Sequence, residues 1–430
     1  MKSTLALTRS FERPIRLLLV NQLTINIGFY MLMPYLAGHL STTLALPTAL
    51  VGLILGVRNL SQQGLFLVGG TLADRLGCKP LIVAGCALRT VAFALLGVAD
   101  SLPVLLIASG LVGLAGALFN PAVRTYLAAE AGPRKVEAFA AFNAFYQLGI
   151  LIGPLIGLLL DAMAFSVVCL TSAAMFAVLT VAQVRALPAR APSRPDGERR
   201  PGVLRDWHTV LTNRSFLLFS LAMTGSYVLG FQVYLGLPLE IRRVSSSELG
   251  VTGVFVVSAV LTVVLQARLT AWAQARWRPP QAIARGLALM GLSFVPVAVS
   301  TLWLKGPAPG PGPVAWAFTL APALTTAALL SVATMIIYPF EMTTIAAFGG
   351  DHAVGTFYGL YSTLAGIGIA TGNLLTGWTL DVGARVGLPA LSWLALTVIG
   401  LVCATAVAAL DRTAGLPQPA KAVTARTGAP

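Results

Sequence analysis

Gly70-Thr71-Leu72-Ala73-Asp74-Arg75-Leu76-Gly77-Cys78-Lys79-Pro80 is a short charged turn with long apolar runs on both sides. A bilayer core about 30 Å thick is crossed by roughly 20 helical residues at about 1.5 Å rise each, and the flanking runs have that length. The stretch therefore reads as a tight connection between two membrane-crossing helices. Gly77 suits a backbone turn closed to other residues, and Gly70 permits close contact between helices. Asp74 can pair with a cation or with the positive N-terminus of a neighbouring helix. Arg75 and Lys79 suit the cytoplasmic side, where such residues are retained.

The rest of the chain agrees. Its 430 residues are 57% hydrophobic and 10% charged, and mean hydropathy is +0.82. Water-soluble domains carry about a quarter charged residues, so composition excludes a soluble enzyme. The net charge of +14 arises from 29 Lys and Arg against 15 Asp and Glu. These cations sit in short clusters between apolar runs and not in stripes beside aromatics, which argues against nucleic acid as a partner. Cys78, Cys86, Cys169 and Cys403 form no CxxC pair, so neither a disulfide framework nor a metal site is expected. His39, His208 and His352 are too scattered for a membrane transferase. No P-loop suggests ATP-driven pumping, and no cofactor is expected.

Polar punctuation divides the chain into twelve predicted spans, at roughly 15–38, 48–70, 80–99, 103–126, 137–160, 163–185, 215–239, 247–269, 281–303, 313–340, 355–380 and 389–409. An even number puts both termini on one side. With that side cytoplasmic, only Arg242, Arg243, Lys305 and Arg385 fall in outer loops, and Arg58 and Arg89 fall inside spans. Lys and Arg mark the inner face, so the asymmetry orients the chain. The N-terminus, residues 1–14, reads as cytoplasmic and leads into a retained first span. Residues 186–214, rich in Pro and Arg, read as a cytoplasmic linker between a bundle of six helices at 15–185 and another at 215–410, with a cytoplasmic tail at 411–430.

An internal repeat supports the division. Phe119-Asn120-Pro121 in span 4 recurs as Ile337-Tyr338-Pro339 in span 10. Gly157-Leu158-Leu159-Leu160-Asp161 closing span 5 recurs as Gly377-Trp378-Thr379-Leu380-Asp381 closing span 11. Two parallel six-helix repeats with a pathway between them are a transporter architecture.

The turn at Gly70 to Pro80 resembles the signature of the major facilitator superfamily, whose members fold as two six-helix bundles. That resemblance implies a conformational latch of Gly70, Asp74, Arg75, Gly77 and Lys79, with the acid set against the start of span 11 near Gly355. Cys78 stands where the family usually has a basic residue. Gly149, Gly153, Pro154 and Gly157 in span 5 are similar to a motif of export-type antiporters. Small residues four apart let helices approach, and a proline removes a hydrogen bond. Ser109 stands where a family arginine implicated in proton coupling is expected. Within the superfamily, the stretches Gly56 to Gly64, Ala87 to Phe93, Gly225 to Val233 and Pro339 to Thr343 resemble the MdtH type of multidrug exporter. The resemblance implies efflux of amphipathic molecules against inward proton movement.

Charged side chains near the bilayer midplane are costly and mark functional candidates. Arg58 and Arg89 both fall at mid-depth, and Gln62 lies one turn from Arg58 on the same face. No acid lies at mid-depth in the first half, so carbonyls, water, a substrate anion or acids nearer the ends must meet them; Arg58 is a candidate for gating or substrate contact, Arg89 for a structural polar network. Glu341, after Pro339, is the leading proton candidate, because a carboxyl shielded from water can exchange a proton near neutrality. A solvated helix-end acid is the competing reading. Asp161 and Glu240 read as solvated acids at outer helix ends, and His39, also at an outer end, as a surface residue rather than a proton relay. In this fold spans 1, 4, 7 and 10 line the cavity, which suggests Asn26, Tyr30, Phe119, Asn120, Tyr227, Phe231, Gln232, Tyr234 and Tyr338 as a substrate site of aromatic faces with few amides. The expected protein is a monomeric exporter in the plasma membrane with small-molecule substrates, protons and lipid as partners. An uptake permease for a small anionic metabolite and a non-transporting membrane receptor are the rivals.

Overall fold

The computed structural model describes residues 10–131, 135–188, 210–245, 248–304, 313–349 and 354–414, together with Leu416. Helices form at all twelve expected segments. Span 1 is Arg13–Tyr30 followed by Met33–Gly38 and a π turn, His39–Thr43; span 2 is Thr48–Gly64 followed by Phe66–Leu76. Spans 3 to 6 are Cys78–Val98, Leu102–Ala131, Lys135–Asp161 and Phe165–Ala186. Span 7 is Arg214–Gly230, a single 3-10 turn at Phe231–Val233, and Gly236–Ser245. Span 8 is Glu248–Arg276, and span 9 is Pro279–Leu292 with Val295–Ser300. Spans 10 to 12 are Pro313–Gly349, Val354–Arg385 and Leu391–Ala414. No strand occurs among the described residues.

Among the described residues, ten of these segments are long and apolar enough to cross a membrane by length and composition, fewer than the twelve expected. Spans 2 and 11 are the two that are not. They pack against each other between the halves, and span 2 carries Arg58, Asn59, Gln62 and Gln63. A helix facing protein along much of its length has less need of an apolar surface than one facing lipid.

Buried side chains form two cores. One runs from Phe11 to Leu187 and takes in Leu235; the other runs from Val210 to Leu416. The linker expected at 186–214 falls mostly outside the described residues, as does most of the tail after Ala414.

Backbone contact needs small residues. In span 5 a Cβ added at Gly149 would meet Asn26 Cβ at 2.5 Å, one at Gly153 would meet Tyr30 Cβ at 2.8 Å, and one at Gly157 would collide with the Met31 carbonyl. The antiporter-like motif thus lays span 5 against span 1. Span 5 is continuous through Pro154, whose carbonyl accepts from Tyr35 Oη at 2.6 Å. Between the halves, Cβ atoms at Gly52 and Gly377 would collide with the Asn373 and Thr48 carbonyls.

At the end away from the termini the halves are joined by specific bonds. Backbone N–H groups of Thr48 and Ala49 donate to the two carboxylate oxygens of Asp381 at 3.2 and 3.0 Å, so the acid closing span 11 caps the exposed N–H groups that open span 2. Tyr35 Oη pairs with Thr252 Oγ1 at 2.7 Å. The Arg242 guanidinium lies on Gly38 and holds Glu248 in a two-pronged pair, 2.7 Å on each arm. One expectation of a solvated outer residue is corrected here: Glu240 is 5% exposed and ion-paired with Arg243 at 2.6 Å; the half-buried His39 stacks on Phe165 at 4.1 Å. Removing a carboxylate from water requires a charged partner, and Arg243, three residues on, supplies it.

Candidate transport site

Spans 1 and 7 both loosen where Tyr-x-x-x-Pro occurs, at Tyr30 to Pro34 and Tyr234 to Pro238. Proline has no N–H to return to the carbonyl four residues earlier, so the helix opens at the tyrosine. Around each break bonds shorten to three residues, Leu32 to Phe29 and Tyr234 to Phe231. The two tyrosines are thereby brought together: Tyr234 Oη lies 3.5 Å from Tyr30 Oη, and Tyr30 Oη lies 3.2 Å from Tyr146 Oη of span 5. Phe231 packs beside Tyr234 with ring centres 5.6 Å apart.

The first half places its two buried cations beside this phenol group. Arg58 is 7% exposed and Arg89 5%. Arg58 Nη1 donates to Asn59 Oδ1 at 2.9 Å and Nη2 to Gln62 Oε1 at 3.0 Å, and its guanidinium carbon lies 4.7 Å from the centre of the Phe29 ring. Arg89 rests on three rings, 5.9 Å from Phe29 and 5.4 Å from each of Phe119 and Phe176. Tyr30, Tyr146 and Tyr234 all lie within electrostatic reach of Arg58.

The second half holds a buried acid instead. Glu341 is 4% exposed, and Tyr361 Oη of span 11 donates to its carboxylate. Tyr227 of span 7 completes the group, its ring edge-on to Tyr361 with centres 5.8 Å apart. Glu341 is therefore a shielded carboxyl and not a solvated helix end. Tyr338, 56% exposed, is within electrostatic reach of Arg124, Glu341 and Tyr146.

Three residues expected in the cavity lie in helix packing. Asn26 faces Gly149 and donates to the Gln22 carbonyl of its own helix at 2.6 Å. Phe119, 1% exposed, lies beneath Arg89. Gln232, fully buried, donates to the Val228 carbonyl at 2.8 Å. Position in a span predicts depth, but the rotation of the helix decides which face meets the cavity. Tyr30, Arg58, Gln62, Phe231 and Tyr234 do come together, Tyr227 lies instead with Glu341 and Tyr361, and Asn120 is half-buried in span 4. Ser109 is buried with its hydroxyl unpartnered.

For the latch, Gly77 adopts φ 85°, a conformation that favours glycine, and sets spans 2 and 3 antiparallel. Lys79 Nζ donates to the Val184 carbonyl at 3.0 Å, which ties it to the end of span 6 in its own half and not across to the other. Gly70, the side chains of Asp74 and Arg75, and the chain at 350–353 before span 11 lie outside the described residues. Among the described residues no cluster of His, Cys, Asp or Glu could hold a metal. Sequence reading did not single out Phe29, Tyr146 and Tyr361, each of which gains its role from a neighbouring helix.

Two helical halves that meet around a buried polar belt define a multi-pass membrane transporter. Residues 18–373 match the model of the Major Facilitator Superfamily, and the chain belongs to that superfamily. It is similar to the uncharacterized MFS-type transporter Rv0849 of Mycobacterium tuberculosis, 48% identical over 409 residues, 94% of this chain and 95% of that protein. The multidrug resistance protein MdtH of Yersinia enterocolitica is 31% identical over 386 residues, 90% of this chain and 91% of that one. Among solved structures, an auto-inhibited POT family peptide transporter superposes with a TM-score of 0.74 at 17% identity, covering 96% of this chain and 99% of that one. The nucleoside transporter NupG does so with a TM-score of 0.74 at 14% identity, covering 92% and 99%. These two likenesses concern the fold.

Proposed function

We propose that this protein exports amphipathic small molecules across the plasma membrane in exchange for protons, the two halves rocking about the phenol belt, with both termini cytoplasmic and the monomer as the working unit. The observation that carries the reading is Glu341: a carboxyl withdrawn from water at the junction of spans 7, 10 and 11, held by the phenol of Tyr361 with Tyr227 beside it and in no ion pair among the described residues. Such a group can hold a proton when closed off and release it when the site opens to the other side. Tyr30, Tyr227, Phe231, Tyr234 and Tyr338 offer flat apolar faces with few fixed hydrogen bonds, which suits ligands of varied shape. The similarity to a multidrug resistance protein supports the same direction of transport.

The latch at Asp74 and Arg75 belongs to the proposal as a device that holds the halves at the cytoplasmic end. A second reading, uptake of a small anion, is favoured by Arg58 and Arg89, which have no acid beside them. Proteoliposomes with an imposed pH gradient separate the two. The export reading expects an amphipathic dye to accumulate against its gradient when protons can flow the other way. Equilibration of an anionic solute, with no response to the pH gradient, contradicts export.

A further inference from the structure

We propose that Arg58 is a binding site for the negatively charged group of an amphipathic organic acid, a carboxylate or sulfonate on an aromatic body, and that Arg89 positions its field from behind. The inference deepens the export reading by naming a substrate class, and its transport consequence rests on that reading; the binding step does not.

Two cations are taken out of water side by side, and among the described residues no carboxylate pairs with either. The electrostatic neighbours of Arg58 are the phenols Tyr30, Tyr146 and Tyr234, and those of Arg89 are the Cys86 thiol, Tyr30 and Arg58 itself. No carboxylate is among them. Asn59 and Gln62 hold the Arg58 fork in place through neutral amides, and the face of Phe29 supports it. Amides and rings satisfy geometry but leave the positive charge whole. Donors are left over as well: Arg58 Nε, Arg89 Nε and Arg89 Nη1 have no hydrogen-bond partner.

A structural role explains little of this. Contact with rings is a weaker compensation than loss of hydration is a cost, and two like charges sharing the Phe29 ring repel each other. A pair of neutral polar residues would fill the space without that penalty. The arrangement becomes favourable when an anion arrives, because a charged acceptor on a fixed guanidinium makes a strong bond in a water-poor site. Arg58 is the group that can reach it, since it lies beside the phenols where the two halves meet. Arg89 sits over Phe119 and Phe176, which are 1% and 0% exposed, and so acts through Phe29. The surrounding phenols and Phe231 fit the aromatic body of such a ligand.

The test is a fluorescence titration of the full chain in nanodiscs of zwitterionic lipid. Its probes are dansylglycine, a carboxylate, and dansylglycinamide, the neutral amide of the same shape. The carboxylate is expected to bind at least about tenfold more tightly, equivalent to about 1.4 kcal/mol. Arg58→Gln should erase that preference and Arg58→Lys should keep part of it. Arg89→Gln should weaken the carboxylate severalfold and leave the amide alone, with Arg89→Lys restoring it; a merely structural Arg89 would move both probes together. Equal binding of the two probes by the wild type, or an undiminished preference in Arg58→Gln, overturns the site. Should Arg58→Gln fail to fold, competition on the wild type decides: benzenesulfonate should displace dansylglycine and benzenesulfonamide should not, and the reverse refutes the proposal. The titration needs no gradient. Intact preference with no pH-driven transport therefore overturns export and keeps the site, whereas lost preference with intact transport does the opposite.

Discussion

The halves share a fold and differ in charge. Both open a helix at Tyr-x-x-x-Pro and both contribute phenols to the belt. The first half then buries two arginines and the second one glutamate, and among the described residues none of the three is in an ion pair with an opposite charge. Were the two signs in the same half, they would neutralise each other as an inert structural pair. In the proposed exchange, each is left available across the interface to something that comes and goes: an anionic group on one side, a proton on the other.

The largest effect expected from disturbing this arrangement is steric, and it separates contacts within a half from contacts between halves. Gly157→Val drives a side chain into the Met31 carbonyl inside the first half, and the overpacking should cost roughly 2–3 kcal/mol, seen as a lower melting temperature in detergent. Gly377→Val collides with Thr48 across the interface. It should spare each core and instead hold the outer ends apart, which cross-linking of cysteine pairs at those ends would register. Equal loss of melting temperature in both variants would dissolve the distinction.

Next comes the cation. Arg58→Ala should reduce transport of an aromatic carboxylate at least about tenfold while transport of its neutral amide changes little. Asp381→Ala removes the acceptor for two N–H groups at the start of span 2. At about 1 kcal/mol for a helix cap, it should shift the population about fivefold toward states with the outer ends separated, measurable by spin-label distances. The smallest change is Tyr35→Phe, which deletes the bond to Thr252 and should move the same equilibrium in the same direction by about 0.5–1 kcal/mol. An opposite sign in either variant would mean these bonds do not favour the closed outer end.

Much of this was legible in the chain because lipid imposes strong rules. Apolar runs marked twelve segments, all of which are helical and ten of which are, among the described residues, long and apolar enough to cross a membrane, and the small residues of span 5 announced close packing. Arg58 and Gln62, one helical turn apart, do bond to each other. What escaped reading depends on how helices are rotated and paired. Asn26 and Gln232 satisfy themselves on their own backbone, so cavity depth misplaced them. Phe29 and Tyr361 look like ordinary apolar-face residues until Arg58 and Glu341 arrive from other helices. The Tyr-x-x-x-Pro repeat was present in the sequence and would have located both breaks, since proline's missing donor acts on the residue four places back.

The division of labour stands or falls on Glu341. Dye transport in proteoliposomes should be measured for the wild type and Glu341→Gln, once with an imposed pH gradient and once as exchange of labelled for unlabelled dye without one. The account predicts that Glu341→Gln loses gradient-driven accumulation and keeps exchange, because the amide can close the cycle with ligand but carries no proton. Accumulation by Glu341→Gln at the wild-type level under the same gradient would contradict it.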